Sequence, residues 1–306
     1  MWHVIFARLG SALVVVLGVS LMVFLLIHLI PGDPVEVMLG ESANPADKVA
    51  LRHQLGLDQP LLSQLRDYYS SLVHLDLGQS IYSREDVAEK IFSRLPATAE
   101  LALISLGVAI SIAFPLGMLA ALKRGSLWDH LTMMMALSGV SIPNFWLGPI
   151  LIIVFSLGLG WFPVSGNESV LGIVLPAVTL GTALAAVLSR MVRSTLVDVL
   201  SEDYILTARA KGLAPFFIVY RHGLRNALLP VVTVLGLQFG TLLAGAVITE
   251  IVFSWPGVGQ LTIEAIQKRD YPVLQGCVLL ISLSYVLVNT MTDLVYQFLD
   301  PRIRLG

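Results

Sequence analysis

Residues 201–230 read SEDYILTARAKGLAPFFIVYRHGLRNALLP, the one long polar interruption in the second half of a very apolar chain. The stretch carries Arg209, Lys211, Arg221 and Arg225. Its local chemistry predicts two short helices joined by a turn. Ser201 is placed to cap the first helix, with Glu202 and Asp203 at the positive end of its dipole. Gly212 is placed to end that helix, because glycine enters the left-handed region without a Cβ clash. Leu213 and Ala214 make the turn, and Pro215 suits the first turn of a second helix. An α-helical period puts Phe217, Tyr220 and Leu224 on one face of that second helix and Arg221 and Arg225 on another. A small two-faced hairpin projecting from apolar flanks has the form of a handle for another protein.

The flanks are apolar enough to be membrane spans. Of 306 residues, 56% are hydrophobic and 13% are charged, with a mean hydropathy of +0.81. A soluble domain carries about a quarter charged residues. The excess apolar residues gather in runs near the roughly 20 residues that cross a bilayer. The expected fold is an all-α integral membrane protein with six transmembrane helices, at about residues 9–30, 101–122, 131–159, 171–188, 228–252 and 273–299. The N-terminal apolar run is too long for a signal peptide and no small-residue cleavage site follows it, so it reads as a retained span. Pro31-Gly32-Asp33-Pro34 stops that first span. Residues 1–34 then hold the first helix, 35–98 a small folded insertion, and 99–306 a five-helix core carrying the hairpin. Helical patterns at 48–55 and 61–73, with turns at Gly56, Pro60 and Gly78, give the insertion its elements.

Two features interrupt the later spans. Pro143 sits in the middle of the third and is expected to kink or break it. A non-spanning loop at 253–272 separates the fifth from the sixth and contains Trp255-Pro256-Gly257-Val258-Gly259. Its Trp and Pro suit either a stiff gate at the outer mouth or an interface anchor, and both readings stay open. Orientation follows the basic residues. Arg8, Lys123, Arg124, Arg190, Arg193, the four hairpin cations, Arg302 and Arg304 fall on one side if six spans alternate. The N- and C-termini and the hairpin are therefore expected in the cytoplasm, with residues 35–98 and the Trp255 loop outside.

Much chemistry is missing. There is no GxxxxGK[ST] phosphate loop, no GxSxG and no HExxH. Cys277 is the single cysteine, and six scattered histidines make no metal-ligand set. No catalytic residue, metal site, bound cofactor or nucleic-acid surface is expected, so the chain reads as a non-enzyme. Buried acids and bases of the kind used by ion-coupled carriers are few. Glu250 and Asp293 lie near span ends, where they face water or cap a helix. Gln238 and Asn289 are neutral and suit hydrogen bonds between helices. Gly236, Gly240, Ala244, Gly245 and Ala246 are spaced for close helix approach, as bundle packing or as a pore wall or mate contact.

With these residues in place, the hairpin resembles the cytoplasmic loop of permease subunits in binding-protein-dependent ABC importers, whose signature runs EAA-x3-G-x9-I-x-L-P. Gly212 aligns with the family glycine. Leu206, Thr207 and Ala208 stand at the EAA positions, and only Ala208 matches. His222-Gly223-Leu224-Arg225 stands at I-x-L-P, without the proline. The peptide and nickel branch is more similar, reading TARAKG and then RHxLRNALLP, as in residues 207–212 and 221–230 here. Pro31-Gly32-Asp33-Pro34, Leu55-Gly56-Leu57-Asp58-Gln59-Pro60, Asp76-Leu77-Gly78-Gln79-Ser80, Arg94-Leu95-Pro96-Ala97-Thr98, Ser141-Ile142-Pro143-Asn144-Phe145-Trp146, Phe253-Ser254-Trp255-Pro256-Gly257-Val258-Gly259 and Arg269-Asp270-Tyr271-Pro272 extend the resemblance along nearly the whole chain.

The resemblance implies a permease subunit in a bacterial inner membrane. Its implied partners are a second homologous permease, two cytoplasmic ATPases and an external substrate-binding protein. ATP and Mg would be used by the ATPases and not by this chain. Ala208, Gly212, Phe217, Tyr220, Arg221, Leu224 and Arg225 are then the ATPase-coupling residues. Pro143, Asn144, Gln238, Trp255, Pro256 and Gly257 are the pathway or gate candidates. The implied cargo is a dipeptide, oligopeptide or glutathione, with nickel as the alternative. Two other readings are a stand-alone secondary carrier and a membrane anchor or receptor without a transport role. For the hairpin itself the alternative is a basic amphipathic element lying on anionic lipid.

Overall fold

The computed structural model describes residues 2–29, 34–39, 44–54 and 56–299. Leu55, Arg302, Arg304 and the first three residues of the Pro31-Gly32-Asp33-Pro34 motif lie outside them, as does the side chain of Asp293. Among the described residues the regular structure is helical, apart from one isolated antiparallel bridge between Gln79 and Asp86. The chain forms two compact units, one from residues 1–96 and 257–283 and the other from 97–256 and 284–306.

The first unit holds α1 (Trp2–Leu29), α2 (Pro34–Leu39), α3 (Pro45–Gln54) and α4 (Leu61–Val73), so the two helical patterns expected in the insertion are present. It also holds the start of α5 (Val87–Leu122). The 36 residues of α5 extend about 54 Å, well beyond a hydrocarbon core of about 30 Å. Expected to begin near residue 101, α5 begins at Val87 because Val87 and Ile91 are drawn into this unit's core with Val258, Leu261, Ala265, Val273 and Cys277. The loop expected at 253–272 is for the most part a helix of its own, α13 (Val258–Lys268), which Arg269 ends in the left-handed conformation at φ 52°. Asp270 then accepts hydrogen bonds from the Ser80 hydroxyl and, at 3.1 Å, from the Ile81 amide.

The second unit is built around α8 (Val174–Leu200), the most thoroughly buried of its long helices. Its neighbours are the rest of α5, α6 (Leu127–Ser141), α7 (Asn144–Leu151) with a π-helical extension over Ile152–Gly158, and the hairpin. α11 (Arg225–Gly245) and α12 (Val247–Val252) also pack on α8, and the end of α14 (Tyr271–Leu299) completes the unit. In lipid, apolar burial gives helices little reason to associate, so close backbone approach must supply the packing. The sequence provides it on both sides of the α5–α8 seam. A Cβ at Gly117 would lie 2.7 Å from the Ser189 carbonyl, and one at Gly181 would lie 2.8 Å from the Ser105 carbonyl. Leu101, Ala102, Ala109 and Ala113 fill the seam from α5, and Ala177, Leu184, Leu188 and Val192 from α8. On α11, Gly236 and Gly240 face Thr292 and Tyr285 of α14, so these small residues serve bundle packing.

Helices α5, α8 and α14 are each long and apolar enough to cross a membrane. α6 and α7 reach that length only together, and they are bent by 100° at a short break. That break is the one expected at Pro143, which precedes α7 in extended conformation because its ring cannot continue the preceding helix. Shorter apolar stretches lie in α1 (Leu13–Leu25) and α11 (Pro230–Gly240).

Candidate functional site

The hairpin forms with its turn as expected. α9 (Asp203–Ala210) is closed by Lys211, and Gly212 follows at φ +74°. The Gly212 amide donates to the Arg209 carbonyl at 2.9 Å and the Leu213 amide to the Ala208 carbonyl at 3.4 Å. This pair of bonds is a Schellman motif, which satisfies carbonyls that the end of the helix would leave open. Pro215 opens α10 (Pro215–Phe217) at its first position. Ile205, Ala208 and Ile218 close a small core inside the hairpin with Leu200 against it. Asn226 donates to the Tyr204 hydroxyl at 2.7 Å, and that hydroxyl donates to the His222 carbonyl at 3.2 Å.

Three details differ from the sequence expectation. Ser201 does not cap α9; it ends α8, its hydroxyl donating to the Asp198 carbonyl at 2.6 Å. Glu202 holds the cap position with an extended backbone and no side-chain bond. Second, the helix after Pro215 is not regular. Residues Ile218–Leu224 form a π-helical stretch between α10 and α11, and the wider turn changes which side chains share a face. Phe216, Phe217 and Tyr220 are exposed, with the Phe216 and Tyr220 rings 4.3 Å apart, whereas Leu224 is half-buried. Phe216 was missed although it lies four residues before Tyr220, a spacing that marks one face. Third, Ala208 is inside the hairpin core, so it packs the hairpin and does not present itself to a partner. Arg221, Arg225, Arg209 and Lys211 are all exposed.

The hairpin is continuous with the helices around it. α8 stops two residues before α9, and α10 runs through the π-helical stretch directly into α11. Gly223 packs against Leu196 and Leu200 of α8, where a Cβ would lie 3.2–3.3 Å from both side chains. The hairpin is thus joined to α8 and α11 both through the chain and through this packing. Farther along the same two helices lies a cavity of about 400 Å³. Pro143 and Asn144 at the α6–α7 break, Leu184 and Val187 of α8, and Gln238 and Leu242 of α11 are among its lining. The structure thus brings Gln238 together with Pro143 and Asn144, far from it in sequence. The carboxamides of Asn144 and Gln238 are the polar side chains of an otherwise apolar wall, and each offers both a donor and an acceptor.

Trp255, Pro256 and Gly257 are elsewhere. Trp255 is 3% exposed in the core of the second unit, and its indole N–H donates to the Ala97 carbonyl at 2.8 Å. The interface-anchor reading of Trp255 is corrected, since its ring meets protein and not lipid. Pro256 is half-buried, and Gly257 is the buried residue before α13. Glu250, expected near water or at a helix end, is fully buried and accepts from the Thr98 hydroxyl at 2.8 Å. Asn289, expected to hydrogen-bond between helices, keeps a buried carboxamide oxygen without a partner. No group of three His, Cys, Asp or Glu able to hold a metal occurs among the described residues.

Comparison with known proteins places this arrangement. Residues 113–305 match the model of the binding-protein-dependent transport system inner membrane component, and residues 1–102 match the model of the N-terminal part of such membrane components. The chain is 47% identical to the di/tripeptide transport system permease protein DppB of Pseudomonas aeruginosa over 97% of each chain. It is 45% identical to the glutathione transport system permease protein GsiC of Escherichia coli K12 over 99% of each chain. Among solved structures it resembles an inward-facing MetNI methionine ABC transporter, with a TM-score of 0.59 and 21% identity over 69% of this chain and 96% of that one. An amino acid ABC transporter with histidines gives a TM-score of 0.51 at 12% identity, over 71% and 95%. At those identities the solved structures establish the shared fold alone.

Proposed function

This chain belongs to the family of binding-protein-dependent transport system inner membrane components, and on that premise we propose that it forms the substrate pathway of an ABC importer for small peptides or glutathione. The observation that carries the cargo class is the near full-length identity to a di/tripeptide and a glutathione permease. Nickel, the alternative cargo class, is not favoured by either relative. In this reading the chain is a non-catalytic membrane subunit. A second homologous permease completes the pathway, two cytoplasmic ATPases use ATP and Mg, and an external binding protein delivers the cargo.

The six-span topology belongs to the same reading. α1, α5, the bent pair α6–α7, α8, α11 and α14 are the spans, with the termini and the hairpin in the cytoplasm. The hairpin offers the ATPases an aromatic patch (Phe216, Phe217, Tyr220) rimmed by Arg221 and Arg225. Gly212 keeps the reversal tight, and ATP-driven closure of the ATPases tilts α8 and α11 and reshapes the cavity at Asn144 and Gln238. A stand-alone carrier is disfavoured by the uncharged wall of that cavity. The test is uptake of a labelled dipeptide and of labelled glutathione into vesicles carrying the chain with its co-expressed partners. ATP- and binding-protein-dependent accumulation of either supports the reading. Proton-driven accumulation by the chain alone refutes it.

A further inference from the structure

The bundle contains an ion pair between a buried aspartate and a half-buried arginine that neither the hairpin nor the cavity uses. Asp129 of α6 is 4% exposed. Its two oxygens accept from Nε and Nη2 of Arg193 of α8 at 2.6 and 2.7 Å. The carboxylate also accepts from the Gly125 amide at 3.0 Å. Asp129 is held at the start of α6 by the cap residue Ser126, whose hydroxyl accepts from the Asp129 amide at 3.4 Å. A forked arginine–carboxylate pair of this kind fixes orientation as well as distance. The Arg193 side chain is 32% exposed, and solvent-screened pairs add little stability, so this pair serves geometry better than it serves stability.

A second clamp lies farther along the same two helices. A Cβ at Gly139 would lie 2.9 Å from the Thr182 carbonyl and 3.3 Å from Ala186. The order of the contacts, 129 with 193 and 139 with 182, makes α6 and α8 antiparallel. The two clamps are about 15 Å apart along either helix. Beyond the Gly139 clamp, α6 ends at the break that puts Pro143 and Asn144 into the cavity wall. At the other end, α8 ends at Ser201, where the hairpin begins.

We propose that Asp129 and Arg193 form a strut that makes α6, and with it the Asn144 wall, follow α8 when the hairpin moves. They are positioning residues, touching neither cargo nor ATPase. The inference rests on the reading of the hairpin as the ATP-driven handle. Without the fork, α8 is free to slide along α6 at its cytoplasmic end, and hairpin motion is absorbed before it reaches the cavity wall.

The test uses the whole importer, purified with its partners and trapped with ATP and vanadate. Spin-label distances are measured from Leu103 of α5 to Leu206 on the hairpin and, separately, from Leu103 to Leu137 on α6. In the parent protein both distances change on trapping. In Arg193→Gln and in Asp129→Asn, the hairpin change is retained while the α6 change falls about threefold or more. Arg193→Lys keeps the charge without the fork and gives an intermediate loss; it also carries the test if the neutral variants do not assemble. An α6 distance that changes as in the parent in every variant overturns the strut. If neither distance responds to trapping in the parent protein, the handle reading itself fails and takes the strut with it.

Discussion

At the scale of single residues, Gly212 decides the hairpin's geometry. Its φ of +74° lies in the left-handed region, and open space surrounds the place a Cβ would occupy. Sterics within its own backbone, not crowding, make glycine the suitable residue. A β-branched side chain there is expected to cost about 1–2 kcal/mol of local conformational energy, enough to loosen the Schellman closure without touching the transmembrane core. Gly212→Val is therefore predicted to insert normally and to keep ATP hydrolysis while transport per ATP falls severalfold. Parallel measurement of uptake and hydrolysis in the same vesicles checks this. Gly212, Pro143 and Pro215 were legible from sequence because each acts through its own backbone. Glu250 was not, because its burial depends on Thr98, 152 residues away. Trp255 failed for the same reason: an aromatic beside a proline suits a membrane interface equally well until its partner, the Ala97 carbonyl, is known.

At the scale of elements, the helices themselves were legible and their ends were less so. α8 was expected to stop before Arg190 and Arg193 because cations close a span, yet it continues to Leu200. Arginine is a good helix former, so the helix runs on past the end of the apolar run, and there Arg193 meets Asp129, a pairing that hydropathy along one segment does not reveal. The π-helical stretch at Ile218–Leu224 was likewise hidden, since a wide turn has no composition of its own. It sets how the exposed aromatics are rotated relative to α11. Deleting His222 is expected to restore regular α-helix and to turn Phe216 and Phe217 by about 100° relative to α11. The deletion variant is predicted to reach the membrane but to lose most of its ATPase association, which affinity capture of the ATPases in mild detergent measures. Point variants Phe217→Asp and Tyr220→Asp should weaken capture in the same direction, by about 1–3 kcal/mol each if the patch is a desolvated contact.

For the whole molecule, the class was legible from hydropathy, from the missing phosphate loop and from the fragments resembling peptide permeases. The family matches covering residues 1–102 and 113–305 bear that out. The grouping of residues 257–283 with residues 1–96 was not legible, because it arises from tertiary packing of Val258, Leu261 and Val273 onto Val87 and Ile91. The cavity was legible only as separate candidates. Pro143, Asn144 and Gln238 carried chemistry singly, and the 100° break and the packing of α8 between α6 and α11 bring them together. In the proposed reading these parts are united by the handle: a hairpin continuous with α8 and α11, whose exposed aromatic patch is either seated on an ATPase or laid on lipid. Photo-crosslinking separates the two most directly. A photoreactive amino acid is placed at Phe217, and at exposed Leu62 of α4 as the control, in membranes containing the assembled importer. A crosslink to an ATPase subunit from position 217 and none from position 62 is the predicted result. Crosslinks from position 217 to lipid alone, with the ATPases present, would contradict it.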